Sequence, residues 1–188
     1  MSRAYRIQIS ESLERVIHVD DGVATKIELL PVLPKERMRA LLAEELAAAG
    51  LVVEDGVARR TTPSDDGTVT VEVEIETGTV TVRIQHETDV EVNAQATRTV
   101  GEERRAVEEE RLRVDVGKTL ERKIEEATEE MRKRATARLE GELKDARREL
   151  DRVVHRVTAA ALKERAGQLG EIEELSEDEE SLTIKVRV

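Results

Sequence analysis

Residues 68–84 read TVTVEVEIETGTVTVRI, and this stretch decides the fold class. Val69, Val71, Val73 and Ile75 share one parity, with Thr and Glu on the other. After Thr77-Gly78 the alternation returns through Val80, Val82 and Ile84. A period of two that reverses across a Gly-containing turn predicts an antiparallel hairpin with one buried face. The even-numbered apolar positions continue through Val90, Val92, Ala94 and Ala96. One strand of that length would span ~50 Å, against the usual ~17–20 Å. A bend or break is therefore expected within QHETD (85–89), where His86 and Thr88 take the apolar parity.

Working toward the N-terminus, Tyr5, Ile7 and Ile9 alternate with Arg6 and Gln8. In VIHVDDGVATKIELL, Asp21-Gly22 reads as a turn between two apolar runs. LPKERMRALLAEELAAAGL (33–51) predicts a helix. Pro34 suits its first turn, Met38, Leu41, Leu42, Leu46 and Ala49 form one stripe, and Gly50 is a stop. Asp55-Gly56 marks a second hairpin, and TTPSDDG (61–67) a loop.

Toward the C-terminus, GEERRAVEEE (101–110) reads as a short exposed helix and RLRVDV (111–116) as one more strand. From Gly117 the period changes. Leu120, Ile124, Ala127, Met131, Ala135, Leu139, Leu143, Ala146, Leu150, Val154 and Val157 make one helical stripe with charged flanks. Glu129–Lys133, Glu130–Arg134 and Glu140–Lys144 are supporting pairs one turn apart. A single stripe must pack on something, so Leu120, Ile124, Met131, Leu139, Leu143, Leu150 and Val154 are the candidate interaction residues. EIEELSEDEE (171–180) holds seven acids and no base and reads as an acidic linker. SLTIKVRV (181–188) alternates again and predicts a terminal strand.

That strand needs a partner. A straight helix over 118–165 would run ~72 Å, and the linker extends at most ~55 Å. Either the helix folds back near Gly141, which would return the strand to an edge of the residue 1–100 sheet, or it stays straight and the strand docks on a partner subunit or another protein. The fold class is α+β: an antiparallel sheet domain with one packed helix (1–100), a helical coiled-coil-like region (101–175), and an acidic linker with a returning strand (176–188).

Composition narrows the function. Of 188 residues, 39% are charged and 1% aromatic, and the formal net charge is −11. Such a chain repels nucleic acid and anionic membranes, and it offers bases no aromatic stacking platform. With no cysteine it has no disulfide, thiolate metal site or Cys nucleophile. His18, His86 and His155 lie at no metal-ligand spacing. Gly117-Lys118-Thr119 lacks the upstream glycine of a phosphate loop, since Leu112 stands there. There is no apolar leader and no run of ~18 apolar residues, so neither a signal peptide nor a membrane span is expected. No catalytic, cofactor-binding or metal-binding residue is expected. The residues read as a cytoplasmic, non-enzymatic interaction protein. The rival readings are a self-assembling scaffold with the long helix as its seam, and an enzyme with dispersed carboxylates.

The N-terminal fifty residues, with Tyr5-Arg6-Ile7, IELLP (27–31) and the helix after Pro34, resemble bacterial domain-X proteins of the FtsH-type ternary systems. These are accessory proteins encoded beside FtsH-like and MoxR-like ATPases and a von Willebrand A-domain protein. The resemblance implies an adaptor whose partner is such an ATPase, its co-chaperone or a like subunit. It implies no catalytic or cofactor residue.

Overall fold

The structure is a computed structural model that describes residues 4–64, 67–177 and 182–187. Among the described residues, seven strands, two α-helices and one short 3-10 helix follow in the order β1 (Ala4–Lys26), α1 (Lys35–Ala48), β2 (Val52–Glu54), β3 (Val57–Ser64), β4 (Gly67–Glu74), β5 (Thr79–Gly101), the 3-10 helix (Glu102–Arg104), α2 (Arg105–Leu169), β6 (Glu171–Glu177) and β7 (Leu182–Arg187). Strands β1–β5 form one sheet in the order β1-β5-β4-β3-β2, and β6-β7 form a second. The class is α+β, with an N-terminal sheet, one short packed helix, a long helix and C-terminal strands. Two compact units result: unit 1 from Met1–Asp20 and Gln85–Ala137, unit 2 from Asp21–Ile84 and Arg138–Val188. Strands β1 and β5 and helix α2 contribute residues to both.

In unit 2 the local signals become the elements they predict. β3 pairs antiparallel with β4, with Ala58 opposite Val73 and Thr62 opposite Val69. Asp55 (φ 49) and Gly56 (φ 80) both take the left-handed conformation that a tight two-residue hairpin requires. Val73, Val80, Val82 and Ile84 are fully buried. Gly78, at φ 72, closes the β4–β5 turn and accepts a hydrogen bond from Ile27 N–H at 2.9 Å. Helix α1 buries Met38, Leu41, Leu42 and Leu46 and ends at Ala48, with Ala49 as its cap before Gly50 at φ 88. Pro63 stands inside β3 near its end, so this strand runs into the stretch expected to be loop, while residues 65–66 lie outside the described residues.

Unit 1 has a thinner core. Ala94 of β5 packs with Val116 and Leu120 of α2, and Ile9, Leu13, Val92 and Ala96 are half-buried against them. Eight of the nine largest fully buried side chains belong to unit 2, and only Val116 belongs to unit 1. With one tyrosine and no Phe or Trp in the chain, the buried hydrophobic side chains among the described residues of both units are aliphatic residues, alanines and one methionine.

Several expectations are corrected. Asp21-Gly22 makes no turn, and β1 runs through it. Gly22 lies against β5, where a Cβ would stand 2.9 Å from Arg83 Cγ and 3.3 Å from the Val82 carbonyl, so the glycine permits close strand approach. In unit 1, His18 and Asp20 contact Glu87 and Gln85. In unit 2, Gly22 and Ile27 contact Arg83 and Gly78. Partner numbers fall as β1 numbers rise, so the two strands are antiparallel. The break expected at 85–89 is absent: β5 runs from Thr79 to Gly101, and β1 is one of its hydrogen-bonded neighbours.

RLRVDV is helical. Leu112 and Val116, one turn apart, are buried, and Val114 between them is 48% exposed. The helix is uninterrupted at Gly141 and extends to Leu169, so there is no helical hairpin. Residues 171–177 of the acidic stretch are strand β6, and this strand, not an edge of the residue 1–100 sheet, pairs with β7; residues 178–180 lie outside the described residues. Ser181 and Val188 of the expected terminal strand lie outside the described residues.

Candidate interaction surface

The helical stripe is largely covered by its own chain. Leu120 and Ile124 are buried in unit 1, and Leu139 and Leu150 in unit 2. Met131, Leu143 and Val154 are half-buried. Val153 rather than Val154 is fully buried. Steps of four residues overshoot a 3.6-residue turn, so the buried line shifts by one position toward the helix end.

Ion pairs hold α2 in place within each unit. In unit 1, Arg98 donates to Glu108 at 2.6 Å, and Lys123 Nζ donates to the Asn93 carbonyl. The Arg98 hydrogen bond, opposed by burial and aided by Arg111, holds the Glu108 carboxyl below its ordinary pKa. In unit 2, Arg37 and Glu45 of α1 reach Glu164 and Arg156 of α2 at 2.8 and 2.6 Å. Arg60 of β3 grips Glu149 with two parallel bonds. The Arg60 hydrogen bond lowers the Glu149 pKa against the effect of burial, and the same bond raises that of Arg60. Along the exposed helix faces, Glu130 pairs with Arg134 at 3.8 Å, and Glu129 takes Arg132 at 3.1 Å.

Among the exposed apolar side chains, which also include Leu30, Val52, Val107 and Leu169, two lie together on the C-terminal hairpin. Ile172 lies opposite Val186 and Leu175 opposite Ile184. Ile172 and Leu175 are three apart, a spacing that would put them on opposite faces of a regular strand. A β-bulge between Ile172 and Glu174 inserts Glu173 without a cross-strand partner and returns both side chains to one face. That face carries Ile172, Leu175, Leu182, Ile184 and Val186. Ile172 and Leu175 are 37% and 45% exposed. On the other side, Glu173 receives both Arg187, at 2.6 Å, and Lys185, at 3.5 Å. The sequence hid this surface because seven acids in ten residues masked a strand whose apolar spacing is irregular.

Two lesser features accompany it. Val107 and Val114 are exposed near the start of α2 in unit 1. A cavity of about 500 Å³ in unit 2 is lined by Leu29, Pro31, Leu33, Met38, Arg39 and Ile75, among others. Arg39 already pairs with Glu36 and Glu76. Among the described residues no group of three or more His, Asp or Glu stands ready to hold a metal ion. No helix of the described residues is long and apolar enough to cross a membrane. His18 Nδ1 lies 3.3 Å from the Glu87 carboxylate on open surface.

One protein-family model, described as FtsH ternary system domain X5, matches residues 1–188, the full length of the chain. No curated protein and no solved structure matches.

Proposed function

We propose, from the premise that this chain belongs to the FtsH ternary system domain X5 family, that it is a non-enzymatic cytoplasmic adaptor for the ATPase machinery of that system. The observation that carries the reading is the one-sided β6-β7 hairpin. A two-stranded sheet is marginal in water by itself, and this one leaves Ile172 and Leu175 facing solvent. Covering that face on a partner would stabilise both. Its acidic flank favours a partner surface with basic residues around an apolar patch. Of the seven candidate interaction residues on the helical stripe, Met131, Leu143 and Val154 are those that retain surface to offer a partner.

The test is direct binding between the purified chain and purified FtsH-like and MoxR-like ATPases of the same system. Leu175→Asp is expected to abolish binding while the far-ultraviolet dichroism stays that of the parent. Equal binding by parent and variant, or none by either, would remove the hairpin as the adaptor surface.

A further inference from the structure

Strand β1 is the edge of the five-stranded sheet, and its one strand neighbour among the described residues is β5. Its other side offers a row of backbone N–H and C=O groups to an incoming strand. Four charged side chains mark this edge in unit 1: Arg6, Glu11, Glu14 and Arg15. None of them makes an ion pair or hydrogen bond with another described residue.

We propose that two copies of the chain dimerise about a two-fold axis by pairing β1 with β1, antiparallel, in the register that sets Leu13 opposite Leu13. Residues opposite each other in an antiparallel pair project to the same face. A sheet that continues across the junction must therefore match odd positions of β1 with odd positions. About Leu13, Ile9 meets Ile17 and Ile7 meets Val19, so apolar residues of one copy meet apolar residues of the other. On that same parity Glu11 meets Arg15, twice by symmetry. On the other face Arg6 meets Asp20, also twice. No like charges fall opposite. No other antiparallel two-fold register within Ala4–Lys26 opposes two different kinds of opposite-charge pair. Centring on Ser10, for instance, matches Arg6 with Glu14 alone.

Glu11 and Arg15 also explain why the edge does not recruit strands indiscriminately. Both stand on the core-facing parity yet are exposed. A charge in that position opposes strand addition in any register that leaves it unpaired. The arrangement about Leu13 pairs both, so the same residues select the partner and the register. Asp20 already accepts one hydrogen bond from Gln85, through Oδ2 at 3.3 Å, which leaves Oδ1 for Arg6 of the second copy. This dimer does not depend on the adaptor reading.

Light scattering of the purified full chain at tens of micromolar gives the first result: a mass twice the 21.1 kDa of one copy is expected. Arg15→Glu should weaken the dimer about tenfold or more, since two attractive contacts become repulsive. Glu11→Arg combined with Arg15→Glu restores the pairing and should recover most of that loss. The chain has no cysteine, so Leu13→Cys should oxidise to a symmetric cross-linked dimer. Ile9→Cys alone should not cross-link, but should do so when mixed with Ile17→Cys. A monomeric parent would overturn the proposal, as would a dimer indifferent to Arg15→Glu or cross-linking of Ile9→Cys alone as fast as Leu13→Cys.

Discussion

Arg60 of β3 and Glu149 of α2 face each other through two parallel N–H···O bonds of 2.7 and 2.6 Å, with both side chains about two-thirds buried. The planar guanidinium matches the carboxylate fork, a geometry lysine cannot reproduce. Glu149→Gln is expected to cost about 1–3 kcal/mol, because the charge-assisted pair is lost and Arg60 keeps its desolvated charge. Denaturant unfolding followed by circular dichroism measures this.

The same pair predicts a pH dependence. The folded-state pKa of Glu149 lies below its ordinary 4.5. Its stabilising contribution is therefore complete above that ordinary value and is lost as pH falls through the depressed one. The stability gap between parent and Glu149→Gln should be full at pH 7 and narrow steadily below about pH 4.5. A gap that is constant down to pH 3 would show that the pair does not titrate with folding.

Two glycines should respond in opposite directions to alanine. A Cβ at Gly78 would stand 2.6 Å from the Ile27 carbonyl, and its φ of 72° strains any L side chain. Gly78→Ala should destabilise by about 1–3 kcal/mol. Gly141 is an exposed position inside α2 where a Cβ meets nothing within 4 Å. Gly141→Ala should stabilise by about 0.5–1 kcal/mol. Thermal melts of the two variants decide both.

Burial along α2 predicts a further contrast. Leu150 is 4% exposed and Val107 is 58% exposed. Leu150→Asp would bury an unpaired charge and should lower stability by about 3 kcal/mol or more. Val107→Asp should change it by no more than about 0.5 kcal/mol. Equal effects would mean that α2 does not present the face described.

The pairing of the last strand can be checked covalently. Ser176 lies opposite Thr183. Cysteines placed at these two positions in an otherwise cysteine-free chain should close an intramolecular disulfide. A cysteine at Thr183 that instead cross-links to one in the 69–84 hairpin would contradict the register.

The legible parts of this fold are those whose signal is local. The 68–84 hairpin, the Asp55-Gly56 turn and α1 between Pro34 and Gly50 are each specified by residues within a few positions of one another. The missed parts depend on distant partners. Asp21-Gly22 resembles a turn until Arg83 is seen beside it, and only then does the glycine read as room for a neighbouring strand. Leu112, Val114 and Val116 fit a strand as well as a helix, and the burial of the outer two on α2 decides. The stripe from Leu120 to Val157 reports that one helix face is apolar. It cannot report that the chain's own residues cover much of that face.

A shorter version of β6 is already implicit in its geometry. Removing Glu173 would leave Ile172 and Leu175 two positions apart, the spacing an unbulged strand needs to keep them on one side. The ladder could then close without a gap, with Glu174 still opposite Lys185. Inserting a residue between them would instead set them four positions apart and move Leu175 from Ile184 to face Leu182. This segment should therefore tolerate loss of one residue better than gain of one, and the cost of the loss would fall on Lys185 and Arg187, which share the carboxylate of Glu173.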